Sequence, residues 1–426
     1  PRFITTGAVI AANVALLKPL MAATHATELE WDGNHDAPAT PRAGTGRIET
    51  INTDLQDRIQ RLIDRLVAEG KERGLQVAAY VDGRLAVNAW AGIADASSGR
   101  PVDERTLFPV FSATKGVAAT VIHGLVERGL LAYDEPIATV WPEFASHGKE
   151  RITLRQALNH SAGLPQMPRP LTYEELHDWD TMCARIANLA PLWPPGTRIE
   201  YHAITYGWLV GEAAQRVTGR SFGQLVTDEI ARPLGVTEEM FVGIPDDVET
   251  RVATLEEPGA VTPPDDGLPQ SIPVWMGTLH DWMNRADARR ACLPASNGIM
   301  SALALARHYA ALLPGGIDGI ELLPPDRVRL ATAPQKPDQP ENDEYPRNRA
   351  LGYGVSLDES RPDRVKTFGH GGYGGCNAFA EPDRRFAVAI NKNLLNQHDS
   401  ASEIVQEIRN ALDGIPEGVA GSEAKP

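Results

Sequence analysis

Ser112 and Lys115 stand three residues apart in Ser112-Ala-Thr-Lys115. On a helix, positions i and i+3 share a face, so the amine can lie beside the hydroxyl. A serine hydroxyl is a weak nucleophile until a neighbour takes its proton. Lysine takes that proton when burial or another cation leaves the amine uncharged; otherwise it stays charged and holds a second base in its anionic form. The same tetrad recurs at Ser146-His-Gly-Lys149 and Ser422-Glu-Ala-Lys425, so the pattern alone does not select. Context does. Ser146 lies in a polar loop and Ser422 in a Gly/Glu/Lys tail, whereas Ser112 follows the apolar run LFPVF and opens an apolar helix. Its hydroxyl and N–H then sit at a helix N-terminus, where developing negative charge is favoured. An ordinary helix cap is the competing use of Ser112.

A second stretch, Gly369-His-Gly-Gly-Tyr-Gly-Gly375, sets glycines densely where strand alternation is expected. That pattern suits close approach of backbone to a ligand, or a plain bend. No helix follows it, so it is not a dinucleotide-binding loop.

The elements that must position these residues follow from periodicity. Residues 32–49 are rich in Pro, Gly and small polar residues and read as a linker. Thr53 with Gln56 three positions on forms a capping box, and Leu55, Ile59, Leu62, Ile63, Leu66 and Val67 make one apolar helical stripe. Two alternating segments, 75–81 and 85–93, flank Asp82-Gly83 and predict a hairpin. Helical patterns at 117–131, 204–217 and 299–313 dominate the middle, separated by Pro-rich loops at 256–274 and 334–348. Strand-like segments return at 351–357, 365–369, 375–380 and 385–390, before a last helix over 400–412. One sheet built from both chain ends, with a helical region inserted between its halves, accounts for this order.

The 426 residues carry 56 acidic and 41 basic side chains, a formal charge of −15. With no compensating basic stretch, nucleic acid and anionic lipid are excluded as partners. Cys183, Cys292 and Cys376 are odd in number and far apart, and no HExxH or CxxC occurs, so no metal, cofactor or disulfide framework is expected. Gly7 to Ala23 is mostly apolar but is interrupted by Lys18 and Pro19; no membrane span is expected. Localisation leans to the cytoplasm, with secretion by this N-terminal segment left open.

Four stretches in order now carry a resemblance: FSATKG at 111–116, ITLRQALNHSAGLP at 152–165, PGTRIEYHAITYGWLVGEAAQRVTG at 195–219 and FGHGGYGG at 368–375. Together they resemble the serine β-lactamase and penicillin-binding-protein superfamily, in particular its class C β-lactamase and family VIII carboxylesterase branch. The resemblance implies an α/β fold of the α+β type, with an antiparallel sheet flanked by helices plus a helical lobe. Residues 1–49 would be an extension and linker, 50–111 and 300–415 the α/β lobe, 112–299 the mainly helical lobe, and 416–426 a tail.

Position by position, Ser112 would be the acylated nucleophile, Lys115 its activating partner and Tyr201 the motif tyrosine sharing acid/base work. The backbone N–H groups of Ser112 and Tyr373 would form the oxyanion hole. His370, Gly371 and Gly372 would edge the substrate cleft, the glycines leaving room for the acyl group. His202, adjoining Tyr201, is a further candidate to line it, with its side chain expected to point away from that of Tyr201. Tyr206 is the decoy to separate from Tyr201, and Trp275 and Trp282 are candidate cleft walls, with core packing the favoured use of each. Two departures stand out: Ala203 replaces the motif asparagine and His370 replaces the motif lysine, removing an amide and a permanent cation suited to a β-lactam. No GxSxG elbow occurs.

The resemblance therefore implies a serine hydrolase forming an acyl-enzyme on a small-molecule ester or amide. The alternatives are a transacylase using an amine or alcohol acceptor, a β-lactamase or D-amino-acid peptidase, and a non-catalytic scaffold. Oligomeric state is not indicated.

Overall fold

The computed structural model describes residues 53–413 apart from 263, 264, 266, 341–344, 396 and 397. The expected extension, linker and C-terminal tail, Ser422 and Lys425 included, lie outside the described residues.

Among the described residues, ten strands form two sheets. They are β1 (Gly74–Val81), β2 (Arg84–Asp95), β3 (Arg100–Pro101), β4 (Phe108–Pro109), β5 (Met240–Val242), β6 (Gly298–Met300), β7 (Gly354–Asp358), β8 (Arg361–Gly371), β9 (Asn377–Glu381) and β10 (Phe386–Lys392). The large sheet runs β3-β2-β1-β10-β9-β8-β7, with every neighbouring pair antiparallel. The Asp82-Gly83 hairpin forms as expected, both residues taking positive φ (51° and 73°). β1 pairs with β10 in register from Leu75↔Lys392 to Val81↔Phe386, so strands from the two chain ends share the centre of the sheet.

Alternation divides the large sheet into two faces. Val77 and Ala79 pack with Val388 and Ile390 beneath helix α1 (Thr53–Ala68) and the C-terminal helix Ser400–Asp413. Ala78 and Tyr80 face the opposite way, into the larger core that also holds the central helix α2 (Thr114–Glu127).

The 299–313 segment departs from its expectation of one continuous helix. Gly298–Met300 pairs with both β4 and β5 in a small sheet, and Ser301 caps a new helix, Ala302–Ala310, by accepting from the Ala304 N–H. An apolar run this short carries either period, and strand pairing with distant residues decides it.

Candidate active site

Every residue of α2 from Thr114 to His123 is buried. Ser112 precedes this helix in a short 3-10 turn, Phe111–Ala113, and is half-buried. Phe111 holds φ at 45°, a left-handed conformation that a bulky residue keeps only when its surroundings impose it. Thr114 supplies part of that constraint: its hydroxyl donates to the Phe111 carbonyl (2.5 Å) and accepts from the Gly298 N–H (2.8 Å). The serine is thus carried on a tight turn tied to β6.

Lys115, fully buried, directs its Nζ to three oxygens. It reaches the Ala203 carbonyl at 2.7 Å, the Ala295 carbonyl at 2.8 Å and Ser112 Oγ at 3.4 Å. Burial pushes its pKa well below the ordinary lysine value, and the Arg349 guanidinium lowers it further. A neutral amine has two N–H groups and one lone pair. The two short contacts to carbonyls use the N–H groups, which leaves the lone pair facing Ser112.

Tyr201 donates its phenolic proton to Ser112 Oγ at 2.8 Å. Its ring lies 4.7 Å from Lys115 Nζ and 5.0 Å from the Arg349 guanidinium. Burial raises the Tyr201 pKa, with the Ser112 hydrogen bond and Arg349 opposing. The hydroxyl therefore rests as a phenol rather than a phenolate. Tyr206 is separated from this constellation: it is fully buried, and its hydroxyl has no hydrogen-bond partner among the described residues.

His160, with φ of 66°, sets its ring tilted by 58° to that of Tyr201, centroids 4.9 Å apart, and accepts the His202 N–H on Nδ1. His202 itself is corrected from its expected place in the cleft. It is wholly buried, its Nε2 accepts the Leu164 N–H (2.9 Å), and its Nδ1 meets the Glu200 carbonyl (2.6 Å). Those two contacts occupy both ring nitrogens in the loop core, and burial holds its pKa at about 4.

A cavity of about 260 Å³ opens on Ser112. Phe111, Ala203, Ile204, Ile272, Leu279 and Trp282 give it an apolar wall, and Tyr201, Gly371 and Tyr373 complete its rim. Trp282 lines the wall while it is itself buried in the core. Trp275 instead packs edge-on against Tyr173, with ring centroids 5.1 Å apart.

Gly371 borders this cavity, and a Cβ there would meet only ordinary contacts at 3.7 Å and beyond. Gly372 has another purpose than the one expected. A Cβ on it would lie 2.2 Å from the Val110 carbonyl, so its missing side chain admits the backbone just before the Ser112 turn, not an acyl group. His370 pairs with Ala378 in the β8–β9 ladder, and its Nδ1 meets the Gly371 carbonyl at 2.7 Å. Desolvation pushes its pKa down to about 3, so it carries no charge near neutrality. Tyr373 begins the 3-10 turn Tyr373–Gly375, where a first-turn N–H has no acceptor within the turn.

The second tetrad also brings its members together, with a different outcome. Lys149 Nζ donates to Ser146 Oγ (3.2 Å) but also to the carbonyls of Ser146 (2.9 Å), Ala187 (2.8 Å) and Leu189 (2.5 Å). Burial lowers the Lys149 pKa only to about 8, and four acceptors around one nitrogen leave no lone pair free for a base. Lys149 staples loops. Arg349 and Thr114 were not singled out from the sequence, and no motif or spacing marks them.

A central antiparallel sheet, a buried helix that begins at a serine, and a lysine one turn on define the serine-reactive fold shared by β-lactamases and penicillin-binding proteins. The chain belongs to the Beta-lactamase family, whose model matches residues 59–413. It is 35% identical over 343 residues to the esterase/β-lactamase LipL of Mycobacterium tuberculosis, covering 76% of this chain and 77% of that one. Among solved structures, a family VIII carboxylesterase superposes with a TM-score of 0.75 at 29% identity, covering 85% of this chain and 99% of the other. A penicillin-binding-protein homologue from Caulobacter crescentus gives 0.73 at 33% identity, covering 86% and 100%. Family and relatives support a serine hydrolase.

Proposed function

We propose that this protein is an esterase that forms an acyl-enzyme on Ser112 from a small, apolar acyl ester. The observation that carries the proposal is the Lys115 amine, which is buried, holds two carbonyls with its N–H groups and faces Ser112 Oγ.

As Ser112 Oγ attacks the ester carbonyl carbon, its proton passes to the neutral Lys115 Nζ. The carbonyl π electrons move onto oxygen, and the Ser112 and Tyr373 N–H groups receive the oxyanion. Collapse expels the alcohol, which takes a proton from the Tyr201 phenol; Lys115 returns its proton to Tyr201. Water then attacks the acyl-enzyme through the same groups in reverse. Apo hydrogen bonds such as the 3.4 Å Lys115–Ser112 contact tighten once substrate is bound.

The acyl group fits the cavity beside Ser112, which at about 260 Å³ is smaller than sites for drug-sized ligands (about 300–1,000 Å³) and suits a short chain. The same reading divides the chain at the cleft, residues 50–111 with 300–415 on one side and 112–299 on the other. The name of LipL joins esterase and β-lactamase activities; the neutral His370 and the methyl side chain of Ala203 favour the ester here.

Product analysis of p-nitrophenyl butyrate with and without an added amine or alcohol tests the acceptor. Butyrate as the main product in both supports the esterase. An acceptor-dependent product with negligible hydrolysis makes the protein a transacylase and overturns the proposal.

A further inference from the structure

The rim of the cavity opposite Ser112 carries a side-chain relay that the mechanism above does not use. The Tyr373 phenol donates to Glu257 Oε1, while Glu257 Oε2 lies 3.1 Å from His280 Nδ1. One carboxylate thus joins the glycine turn after β8 to the helix Leu279–Met283, whose Leu279 and Trp282 wall the acyl cavity. The Glu257 side chain is 13% exposed although the Tyr373 residue is 45% exposed, so the buried partner holds the open one.

Glu257 has a firm base. Its neighbour Glu256 bridges to Leu394: the Glu256 N–H donates to the Asn393 carbonyl (2.9 Å) and the Leu395 N–H to the Glu256 carbonyl (2.7 Å). Leu395 also backs the turn itself, since a Cβ on Gly374 would lie 2.2 Å from its side chain. On the other side, the Tyr373 ring meets Phe111 edge-on at 5.7 Å, next to Ser112. The Glu257 hydrogen bond pushes the Tyr373 phenol up to about 12, so it remains a donor.

We propose that Glu257 is a positioning residue for the oxyanion hole, clamping the Tyr373 turn so that its backbone N–H is held toward the oxygen of the tetrahedral intermediate. This rests on Ser112 being the acylated nucleophile. A misplaced donor in an oxyanion hole lowers turnover more than substrate binding, because the charge it meets exists only in the transition state.

The test compares wild type with Tyr373→Phe, Glu257→Ala and Glu257→Gln on p-nitrophenyl butyrate, with melting curves for each. Tyr373→Phe removes one exposed hydroxyl and leaves the ring, so folding is retained. The clamp predicts a 5- to 20-fold fall in kcat with KM within twofold for Tyr373→Phe and Glu257→Ala. Glu257→Gln, whose amide oxygen still accepts from Tyr373, stays within about threefold of wild type. Binding of a trifluoromethyl ketone, which forms a tetrahedral oxyanion on the serine, weakens in parallel with kcat. Unchanged kcat in Tyr373→Phe, or a loss confined to KM, overturns the clamp while leaving the esterase proposal intact. A wild type that neither turns over the ester nor forms the ketone adduct overturns both.

Discussion

Lys115 holds its side-chain nitrogen 3.4 Å from Ser112 Oγ while its two N–H groups meet the carbonyls of Ala203 and Ala295. Among the described residues, no carboxylate opposes the desolvation of this amine, whose lowered pKa arises from burial and then from Arg349. The dyad is therefore set up as acceptor and donor rather than as an ion pair.

The first prediction concerns pH. In the proposed mechanism the free amine is the base, so kcat/KM should rise with pH through the lowered Lys115 pKa and then level off. The rise should lie well below the ordinary lysine value of 10.5. Because burial raises Tyr201, no alkaline loss from that phenol is expected below the ordinary tyrosine value of 10.0. Lys115→Met should lower kcat/KM by about a thousandfold. A pH–rate profile on a neutral ester checks both statements.

Arg349 lies over the Tyr201 ring and depresses both Lys115 and Tyr201. Removing its charge in Arg349→Met should raise the Lys115 pKa and displace the acid limb of the profile to higher pH, with little change in melting temperature. A limb that stays in place would mean the guanidinium does not act on the dyad.

Gly372→Ala places a methyl group 2.2 Å from the Val110 carbonyl, a backbone atom that cannot swing aside. Overpacking of this kind costs about 1–3 kcal/mol, and here it also separates the Tyr373 turn from the Ser112 turn. Chemical denaturation should show the loss of stability, and ester turnover should fall with it. Gly371→Ala, with no contact closer than 3.7 Å, should retain its stability.

The neutral His370 bears on β-lactams. A charge-assisted hydrogen bond is worth about 1.5–3 kcal/mol, so a site lacking the cation should handle an anionic penicillin poorly. Steady-state kinetics should give kcat/KM for p-nitrophenyl butyrate about 10- to 140-fold above that for benzylpenicillin. Equal values would contradict this use of His370.

Local signals reached far into this fold. The Asp82-Gly83 hairpin and the apolar stripe of α1 depend on neighbours in sequence, and both formed as read. The 299–313 segment was misjudged because Gly298–Met300 becomes a strand only by pairing with residues near 108 and 240. His202 was misplaced for a simpler reason. Adjacent residues outside a helix turn their side chains to different sides, and His202 takes the side of Leu164 rather than that of Ser112. Ser112 and Lys115 were legible because one helical turn joins them. Arg349 and Glu257 lie outside every recognised motif and reach the site through loops whose path only tertiary packing sets.

Intact-mass measurement after exposure to a fluorophosphonate tests the central claim most directly. Wild type should gain the mass of one phosphonyl group, and Ser112→Ala should gain none while melting as a folded protein. No adduct on wild type, or the same adduct on Ser112→Ala, would contradict Ser112 as the nucleophile.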